Sequence, residues 1–259
     1  MTLPLPASWL AQLAQRVDVA PRAPRVALLA GDARIGSVEP ELLSGLQLPA
    51  SVVREQAGAW QVQADLQTSL DAIATAMRDA GIAHSWRNEQ LAVTDEAGRR
   101  LATIERAAVR PLGITTFAVH LAGMTREGRH WVQQRALTKA TDPGLWDTLM
   151  GGMVPASDSL EAALERETWE EAGLRMSQLE RLSHAGRVLT RRPSVDYAGG
   201  FIVEWLDWYR CVVPAGIEPR NQDGEVERFA LLDDAELARR LLGEDFTLEA
   251  AWVLSESAR

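Results

Sequence analysis

Apolar and polar positions in the N-terminal part of the chain follow strand-like and helical spacings in turn. The segment RVALLAGDARIGSVEP (residues 25–40) predicts a short strand, a glycine turn and a second short element. From Ser69 to Gly81, apolar residues recur at helical intervals between a serine and a glycine, which predicts an amphipathic helix. The segment LAVTDEAGRRLATIER (residues 91–106) alternates around a polar turn and predicts a hairpin. Together these patterns predict a small α+β domain over residues 1–108.

Longer apolar runs with strand-like alternation follow from residue 109 onward. The predicted strands are TTFAVHLAGM (115–124), HWVQQRAL (130–137), WDTLMGGMV (146–154), AGRVLT (185–190) and GGFIVEWLDWYRCVV (199–213). A helix interrupts them after residue 158, and two helical segments, 233–243 and 248–258, come last. Strands with one embedded helix and later helices predict an α/β domain, a mixed sheet with helices packed on it, over residues 109–259.

The embedded helix carries acidic residues on the face that its apolar residues define. We expect it to run from about Ser159 to Ala172, with Asp158 and Glu161 as a capping box and Gly173 in the left-handed conformation at its end. At about 100° per residue, one face contains Leu160, Ala163, Leu164, Glu167, Glu170 and Glu171. The carboxylates therefore continue an apolar stripe that should face the sheet.

Like charges one helical turn apart repel each other, so this arrangement needs a compensating charge. Arg166 can reach Glu170 and Arg175 can reach Glu171. Exposed ion pairs of this kind, however, contribute at most about 1 kcal/mol and do not require a carboxylate cluster. Mg²⁺ prefers carboxylate oxygens and keeps water positions that substrate phosphates can take. The pattern favours a divalent-metal site, and a solvated helix surface is the alternative.

Composition and charge narrow the class of protein. Of the 259 residues, 46% are apolar and 24% are charged, and the formal net charge of −9 disfavours broad binding to nucleic acid or anionic membranes. No apolar run approaches the roughly 18 residues of a membrane span, and the first residues lack the pattern of a secretory signal. The single cysteine, Cys211, fits a reducing compartment. We therefore expect a cytoplasmic protein with neither nucleic-acid nor membrane partners. Its oligomeric state, a homodimer included, stays open.

The segment GGMVPASDSLEAALERETWEEAGL (residues 151–174) resembles the signature of Nudix hydrolases. That signature has a glycine, five residues and an acid, then seven residues and R-E-apolar-x-E-E-x-G-apolar. The matching residues are Gly152, Asp158, Arg166, Glu167, Glu170, Glu171, Gly173 and Leu174. Asp158 stands where the signature has a glutamate, and Thr168 where it has an apolar residue. The resemblance implies an α/β/α sandwich and Mg²⁺-dependent cleavage of a diphosphate, with Mn²⁺ as an alternative metal.

A wider resemblance covers about residues 85–259. GITTFAVHLAGM, HWVQQRALTKATDPGLWDTLMGGM and RNQDGEVERFALL are similar to the Nudix subgroup related to the N-terminal part of fungal thiamine pyrophosphokinases, in which a small domain precedes the Nudix domain. This resemblance implies thiamine diphosphate, especially its oxidised derivatives, as substrate. The signature does not specify the leaving group, so a hydrolase of nucleotide sugars or oxidised nucleotides is the alternative. A non-catalytic ligand sensor of the same fold is the alternative from another class.

The resemblance also assigns roles within the signature helix and on a later loop. The implied metal ligands are Glu167, Glu170 and Glu171. Arg166 is implied to orient a glutamate through charge-assisted hydrogen bonds. Nudix enzymes take their general base either from the helix or from a later loop. On that loop, Glu225 is our candidate for the base or an extra ligand, and Glu227 lies close by.

Four residues outside the helix are expected at the substrate. Gly152 allows a close approach of the backbone, and Arg135 and Lys139, near the turn at residues 142–144, are expected to hold phosphate. Trp146 is expected to stack on an aromatic ring of the substrate. The alternatives are a turn glycine, two solvated surface cations and a core tryptophan. His120, inside an apolar strand, is expected to be an inner residue with satisfied hydrogen bonds.

Overall fold

The computed structural model describes residues 3–63 and 65–257. The elements up to residue 105 are α1 (Ala7–Val17), β1 (Val26–Ala30), β2 (Ala33–Val38), α2 (Leu42–Gly45), β3 (Val53–Gln56), β4 (Ala59–Val62), α3 (Leu66–Asp79), β5 (Gln90–Thr94) and β6 (Arg100–Glu105). Four of the strands form a sheet in the order β2-β1-β4-β3, in which β1 is antiparallel to β2 and parallel to β4. The strands β5 and β6 form the predicted hairpin.

The helix α3 packs against both the four-stranded sheet and the hairpin because its apolar residues fall on one side. Leu70, Ile73 and Met77 are fully buried. They share one core with Leu28 of β1 and Ile104 of β6. The N-terminal part therefore has a hydrophobic core of its own.

The second part of the chain forms one larger sheet. Its elements are β7 (Thr115–Met124), β8 (His130–Arg135), β9 (Trp146–Asp147), β10 (Met150–Met153), α4 (Leu160–Ala172), β11 (Glu180–Pro193), β12 (Phe201–Val212), β13 (Val226–Leu232), α5 (Asp234–Leu242) and α6 (Leu248–Ser257). The main strand order is β11-β12-β7-β8-β13, with β10 paired to β7 and β9 paired to β8. β12 is parallel to β7, whereas the other pairs of this sheet are antiparallel. The predicted mixed sheet is confirmed.

Helices cover both faces of the larger sheet. Successive side chains of a strand point to opposite faces, and Val119 and Leu121 of β7 share a core with Leu164 of α4. The next residue, Ala122, packs with Val253 of α6. α4 and α6 therefore lie on opposite faces, which gives the α/β/α sandwich that the resemblance implies.

The predicted helices are present, with shifts at their ends. α3 begins at Leu66 rather than Ser69, because the Asp65 side chain caps it by accepting a hydrogen bond from the Thr68 N–H. α6 is described to Ser257, and residue 258, the last of the predicted segment, lies outside the described residues. None of the helices in the described ranges has the length and apolar character needed to cross a membrane.

The helix α1 has no counterpart in the sequence-based prediction, because two prolines, Pro4 and Pro6, directly precede it. Its first turn comes immediately after Pro6, a position that proline tolerates. Leu13 of α1 shares a core with Leu237 of α5 and Leu254 of α6. This helix thus packs on the second part of the chain, and the division at residues 108 and 109 remains a prediction.

Backbone and side-chain hydrogen bonds join the two parts. The Ser37 N–H donates to the Leu112 carbonyl at 2.9 Å. The Arg25 guanidinium donates to the Ser37 hydroxyl at 3.0 Å, to the Pro111 carbonyl at 2.7 Å and to the Gly199 carbonyl. One arginine therefore connects the first sheet, the segment between the sheets and the loop that precedes β12.

Replacing Gly173 with alanine should destabilise the protein more than the same change at Gly58. Both glycines have positive φ, 62° and 75°, but an added Cβ would lie 2.6 Å from the Arg220 carbonyl oxygen at residue 173 and would meet nothing within 4 Å at residue 58. We expect the free energy of unfolding, measured in urea, to fall by about 1 kcal/mol for Gly58→Ala and by about 2–4 kcal/mol for Gly173→Ala. Equal losses would contradict the steric explanation.

Candidate active site

A cavity of about 1070 Å³ opens beside the inner face of α4. Its walls come from α4, from strands of the larger sheet and from residues 82–111, which lead out of the N-terminal part. The expected site residues among those that line it are Arg135, Lys139, Gly152, Arg166, Glu167, Glu170, Glu171 and Glu225. The fold therefore brings together all the expected site residues except Trp146.

The local sequence fixes both ends of α4 and so decides which side chains face the cavity. Ser159 caps the helix, since its hydroxyl accepts a hydrogen bond from the Ala162 N–H at 3.1 Å. The prediction that Asp158 is the cap is wrong by one residue, and its carboxylate binds Arg166 instead. Gly173 ends the helix in the left-handed conformation, as predicted.

Arg166 holds three acidic side chains. Its Nε donates to Asp158 at 3.0 Å, and its Nη1 donates to Glu167 at 2.9 Å and to Glu170 at 2.8 Å. Burial alone would lower the pKa of Arg166, but the charge of Glu167 and the hydrogen bonds to these three carboxylates raise it. Arg166 therefore stays charged and orients two of the expected metal ligands.

The Glu167 carboxyl group packs directly on Gly152, and 14% of the side chain remains exposed. Burial raises its pKa to about 7; the charge of Arg166 opposes this effect, and repulsion from Glu171 and Glu170 adds to it. A Cβ at residue 152 would collide with the Glu167 carboxyl group. The close backbone approach expected at Gly152 is thus an approach of the Glu167 side chain.

Glu171 is the most deeply buried acid of the site, with 1% of its surface exposed. Its carboxylate accepts hydrogen bonds from Gln133 Nε2 at 2.7 Å, from the Gly151 N–H at 3.1 Å and from Lys139 Nζ at 3.4 Å. Burial nevertheless raises the pKa of Glu171. Beside it, the side-chain oxygen of Gln133 is buried and has no hydrogen-bond partner among the residues that the structure describes.

Lys139 bridges α4 and the loop before β13. Its ammonium group lies 3.4 Å from a Glu171 oxygen and donates a hydrogen bond to Glu225. Burial would raise the pKa of Glu225, but the hydrogen bond and charge of Lys139, helped by the charges of Arg87 and Arg106, lower it. Glu225 is therefore ionised at neutral pH.

Arg135 faces the cavity and also shapes the loop that follows β8. Its Nη2 donates to the Thr141 carbonyl at 2.8 Å, and its Nη1 lies 3.4 Å from an Asp147 oxygen. Asp147 in turn lies 3.6 Å from the His120 ring, which is 3.0 Å from the Thr148 hydroxyl. His120 is thus an inner residue with polar partners, as predicted, although it also lines the cavity.

A second set of charged residues, here named the polar cluster, also lines the cavity. It consists of Arg110, Asp142, Arg192, Glu204 and Glu249. Arg192 lies on β11, Glu204 on β12 and Glu249 on α6, whereas Arg110 and Asp142 lie in the segments before β7 and β9. Arg192 pairs with Glu249 at 2.7 Å, and Arg110 pairs with Glu204 at 3.2 Å. Burial raises the pKa of Asp142, and the nearby charge of Glu249 adds to the effect. The cluster therefore presents three carboxylates to a ligand, and two of them pair with arginines.

Trp146 does not line the cavity, contrary to its expected role. Its side chain lies in the core with Phe246 and Leu241, and the guanidinium groups of Arg228 and Arg240 lie 5.3 Å and 4.7 Å from the ring centre. The ring is therefore covered by core residues and arginine side chains, and it does not face the cavity. Because β9 has only two residues, its sequence does not show which of them faces the core.

The donor chemistry of the site fits a divalent cation, although the ligands are not assembled around one. In the part of the chain that the structure describes, no three His, Cys, Asp or Glu side chains already converge as metal ligands would. Arg166 and Lys139 hold the carboxylates instead. Glu167 and Glu171 still have raised pKa values, and within residues 3–63 and 65–257 a buried oxygen of Gln133 has no hydrogen-bond partner. A cation between them would relieve this electrostatic cost.

The sequence-based prediction missed several residues of the cavity. Gln133, which donates to Glu171 beside the cavity, had no distinctive signal, because four of the six residues of β8 are polar. Arg87 and Arg106 had none, since only tertiary contacts bring the ends of the hairpin β5–β6 to the cavity. The pairing of Arg192 with Glu249 joins residues 57 positions apart and also had no local signal.

Comparison with known families identifies the class of protein. Residues 115–249, or 135 of the 259 residues, match the model of the NUDIX domain. The chain therefore belongs to the NUDIX family, as the signature in α4 predicted.

Curated relatives agree with this assignment but differ in function and length. Nudix hydrolase 20, chloroplastic, of Arabidopsis thaliana is 34% identical over 164 residues, which cover 62% of this chain and 43% of the relative. An isopentenyl-diphosphate Delta-isomerase of Streptomyces coelicolor is 31% identical over 167 residues, which cover 64% of this chain and 80% of the relative. The chain spans about half or less of the length of several such relatives.

A solved structure supports the fold. The crystal structure of DR0079 from Deinococcus radiodurans matches 66% of this chain and all of that protein, with a TM-score of 0.50 and 19% identity. At this identity, the similarity concerns the fold alone.

Replacing Glu249 with glutamine should destabilise the protein in a pH-dependent way. Burial would raise the pKa of Glu249 from its ordinary 4.5, but the charge and hydrogen bond of Arg192 outweigh it and lower the pKa, with smaller help from the Glu249 N–H and His120. A carboxyl group with a lowered folded pKa stabilises the fold above its unfolded pKa and loses this effect as the pH falls through the folded one. We expect a loss of about 2–3 kcal/mol in urea unfolding at pH 7 that shrinks below about pH 4.

Glu244→Gln is the matched control for this variant. Glu244 pairs with Arg16 at 2.6 Å, but their side chains are 67% and 49% exposed, so the loss should stay below about 1 kcal/mol. A loss for Glu249→Gln that does not depend on pH, or that is no larger than the control's, would show that the buried pair is not stabilising.

Proposed function

We propose that the protein hydrolyses the diphosphate group of a small-molecule ester in a Mg²⁺-dependent reaction. The observation that carries this proposal is a single cavity where Glu167, Glu170 and Glu171 of α4 meet Lys139, in a chain of the NUDIX family. A diphosphate presents several negative oxygens, which cations must neutralise before water can attack phosphorus. Carboxylates that can hold a cation, next to a lysine that can bind phosphate, meet this requirement.

In this proposal, Glu167, Glu170 and Glu171 hold Mg²⁺, with Mn²⁺ as an alternative because both metals suit carboxylate oxygens. When bound, the cation neutralises phosphate oxygens and lowers the pKa of water. Arg166 keeps Glu167 and Glu170 oriented through its hydrogen bonds. Lys139, which bridges Glu171 and the loop before β13, supplies a point charge for a phosphate oxygen.

Glu225 is the proposed general base. Its lowered pKa keeps the carboxylate ionised at neutral pH, so it can accept the proton of the attacking water. The water oxygen forms a bond to phosphorus, the phosphoanhydride P–O bond breaks, and the leaving phosphate oxygen takes the electron pair. Glu167, whose pKa of about 7 lies near the operating pH, is the alternative base on α4.

The composition of the polar cluster favours a substrate whose leaving group donates hydrogen bonds. Its acids, Asp142, Glu204 and Glu249, outnumber its arginines and lie in the same cavity as the α4 carboxylates. Carboxylates at this position can accept hydrogen bonds from the amino group of a pyrimidine ring. Together with the subgroup resemblance, this favours thiamine diphosphate and its oxidised derivatives as substrates, with the monophosphate and phosphate as products.

The test has to distinguish this substrate class from two alternatives. Nucleotide sugars and oxidised nucleotides also carry a diphosphate and an amino-bearing ring, so they compete as substrates. A non-catalytic ligand sensor would bind such molecules without cleaving them. We further propose a small molecule as the partner, with no nucleic-acid or membrane partner, and the cytoplasm as the location.

Hydrolysis should depend on the inward carboxylates of α4 and not on its outward ones. We expect phosphate release from thiamine diphosphate and its oxidised derivatives with Mg²⁺ to exceed release from isopentenyl diphosphate, whose leaving group has no hydrogen-bond donor. Glu170→Gln and Glu171→Gln should each lower kcat/KM by about 100-fold or more, because each removes a charge that compensates the metal. The measurement is colorimetric phosphate release, with the melting temperature of each variant recorded.

Glu165→Gln is the matched control, since Glu165 lies on the same helix but is exposed and outside the cavity. It should hydrolyse as the parent does. Unchanged rates for the two inward variants would mean that the ligand assignment is wrong. Tight binding of a diphosphate without any release would favour the sensor.

A further inference from the structure

Two arginines of the N-terminal part line the same cavity as the α4 carboxylates. Arg87 precedes the hairpin β5–β6 and Arg106 follows it, and both belong to the cavity wall. Neither residue lies in the segment that matches the NUDIX domain, which begins at residue 115. The cavity therefore has a cationic wall that the family match does not include.

Buried hydrogen bonds fix the backbone on both sides of this wall. The Glu105 side chain is 1% exposed, and its Oε1 accepts hydrogen bonds from the Arg87 N–H at 2.9 Å and from the Ala107 N–H at 3.5 Å. The Arg106 N–H donates to the Glu89 carbonyl at 2.8 Å. The chain before and after the hairpin is thus tied together at the level of the two arginines.

The hairpin is also bound to the loop that leads into α4. The Ala156 N–H donates to the Gln90 carbonyl at 2.7 Å, and the Arg100 guanidinium donates to the Ala156 carbonyl at 2.6 Å. Met153, at the end of β10, packs against the core of the N-terminal part. These contacts set the distance between the arginine wall and the carboxylates of α4.

The charges of the two arginines are only partly compensated. Arg106 pairs with Glu89 at 2.8 Å, while its side chain remains 31% exposed. Across the described ranges 3–63 and 65–257, no carboxylate lies within ion-pair distance of the Arg87 guanidinium. Both positive charges act on Glu225 across the cavity, where they help to lower its pKa. Two arginines that face a cavity with uncompensated charge suit an anionic ligand.

We propose that Arg87 and Arg106 form an anion-binding wall that holds phosphate oxygens of the substrate across the cavity from the carboxylates of α4. This inference rests on the proposed function and adds that the N-terminal part contributes directly to substrate binding. In this inference Arg87 and Arg106 bind phosphate. Glu105 is a positioning residue, because its side chain holds the backbone at Arg87 and next to Arg106.

The test measures binding rather than hydrolysis, so that it does not depend on turnover. The probe is methylenediphosphonate, whose P–C–P bridge cannot be hydrolysed, titrated calorimetrically with Mg²⁺ present. We expect Arg87→Ala and Arg106→Ala each to weaken binding by about tenfold, and the double variant to weaken it further, because charge-assisted hydrogen bonds to phosphate are lost. Arg54→Ala removes the same charge from β3, outside the cavity, and should bind as the parent does.

Glu89→Gln separates binding from a structural role of the Arg106–Glu89 pair. If Arg106 binds phosphate, this variant frees its guanidinium and keeps or tightens binding. If the pair is only structural, Glu89→Gln and Arg106→Ala lower the melting temperature equally and leave the dissociation constant unchanged, which overturns the inference.

The inference is also overturned if the parent does not bind the probe, or if Arg54→Ala weakens binding as much as Arg87→Ala. If the double variant binds the probe as the parent does and phosphate release persists, this inference alone is wrong and the proposed function is unaffected.

Discussion

Three carboxyl groups lie on the inner face of α4, and burial together with nearby negative charge opposes the ionisation of two of them, Glu167 and Glu171. The raised pKa values of Glu167 and Glu171 record this cost. Arg166 on one side and Lys139 on the other offset it only in part. Neighbouring residues accommodate these carboxylates. Gly152 leaves room for Glu167, and the Gln133 amide donates a hydrogen bond to Glu171. The site is thus built around a concentration of negative charge that a cation can complete.

The N-terminal part matters to this site because it is packed against the segment that introduces α4. Hydrogen bonds from the hairpin β5–β6 hold the loop at Ala156, and Arg25 joins the first sheet to the loop before β12. The cavity lies between these contacts and takes its walls from both parts. The carboxylates of α4 and the arginines Arg87 and Arg106 thus line one cavity with opposite charges, which is the arrangement on which both proposals depend.

Local patterns predicted the elements well where propensity and burial agreed. The hairpin β5–β6, α3 and α4 all have clear periodicity and turn residues, and each is present. The errors have local causes. Asp158 and Ser159 are both good capping residues, and only the packing of Arg166 decides between them. Trp146 begins a segment that was predicted as one strand but forms two, β9 and β10, so the alternation along it did not show which way this side chain points. The helix α1 was not predicted, because prolines directly precede it.

The sequence by itself determined the family, the mixed sheet and the inward carboxylates, because these depend on the spacing of residues within one helix or strand. Only the tertiary structure decided which distant groups meet those carboxylates. Arg87, Arg106 and Glu225 come from separate segments, and the pairing of Arg192 with Glu249 joins two elements far apart in the chain. Such contacts follow from how sheets and helices pack, and packing depends on the whole core rather than on any local pattern.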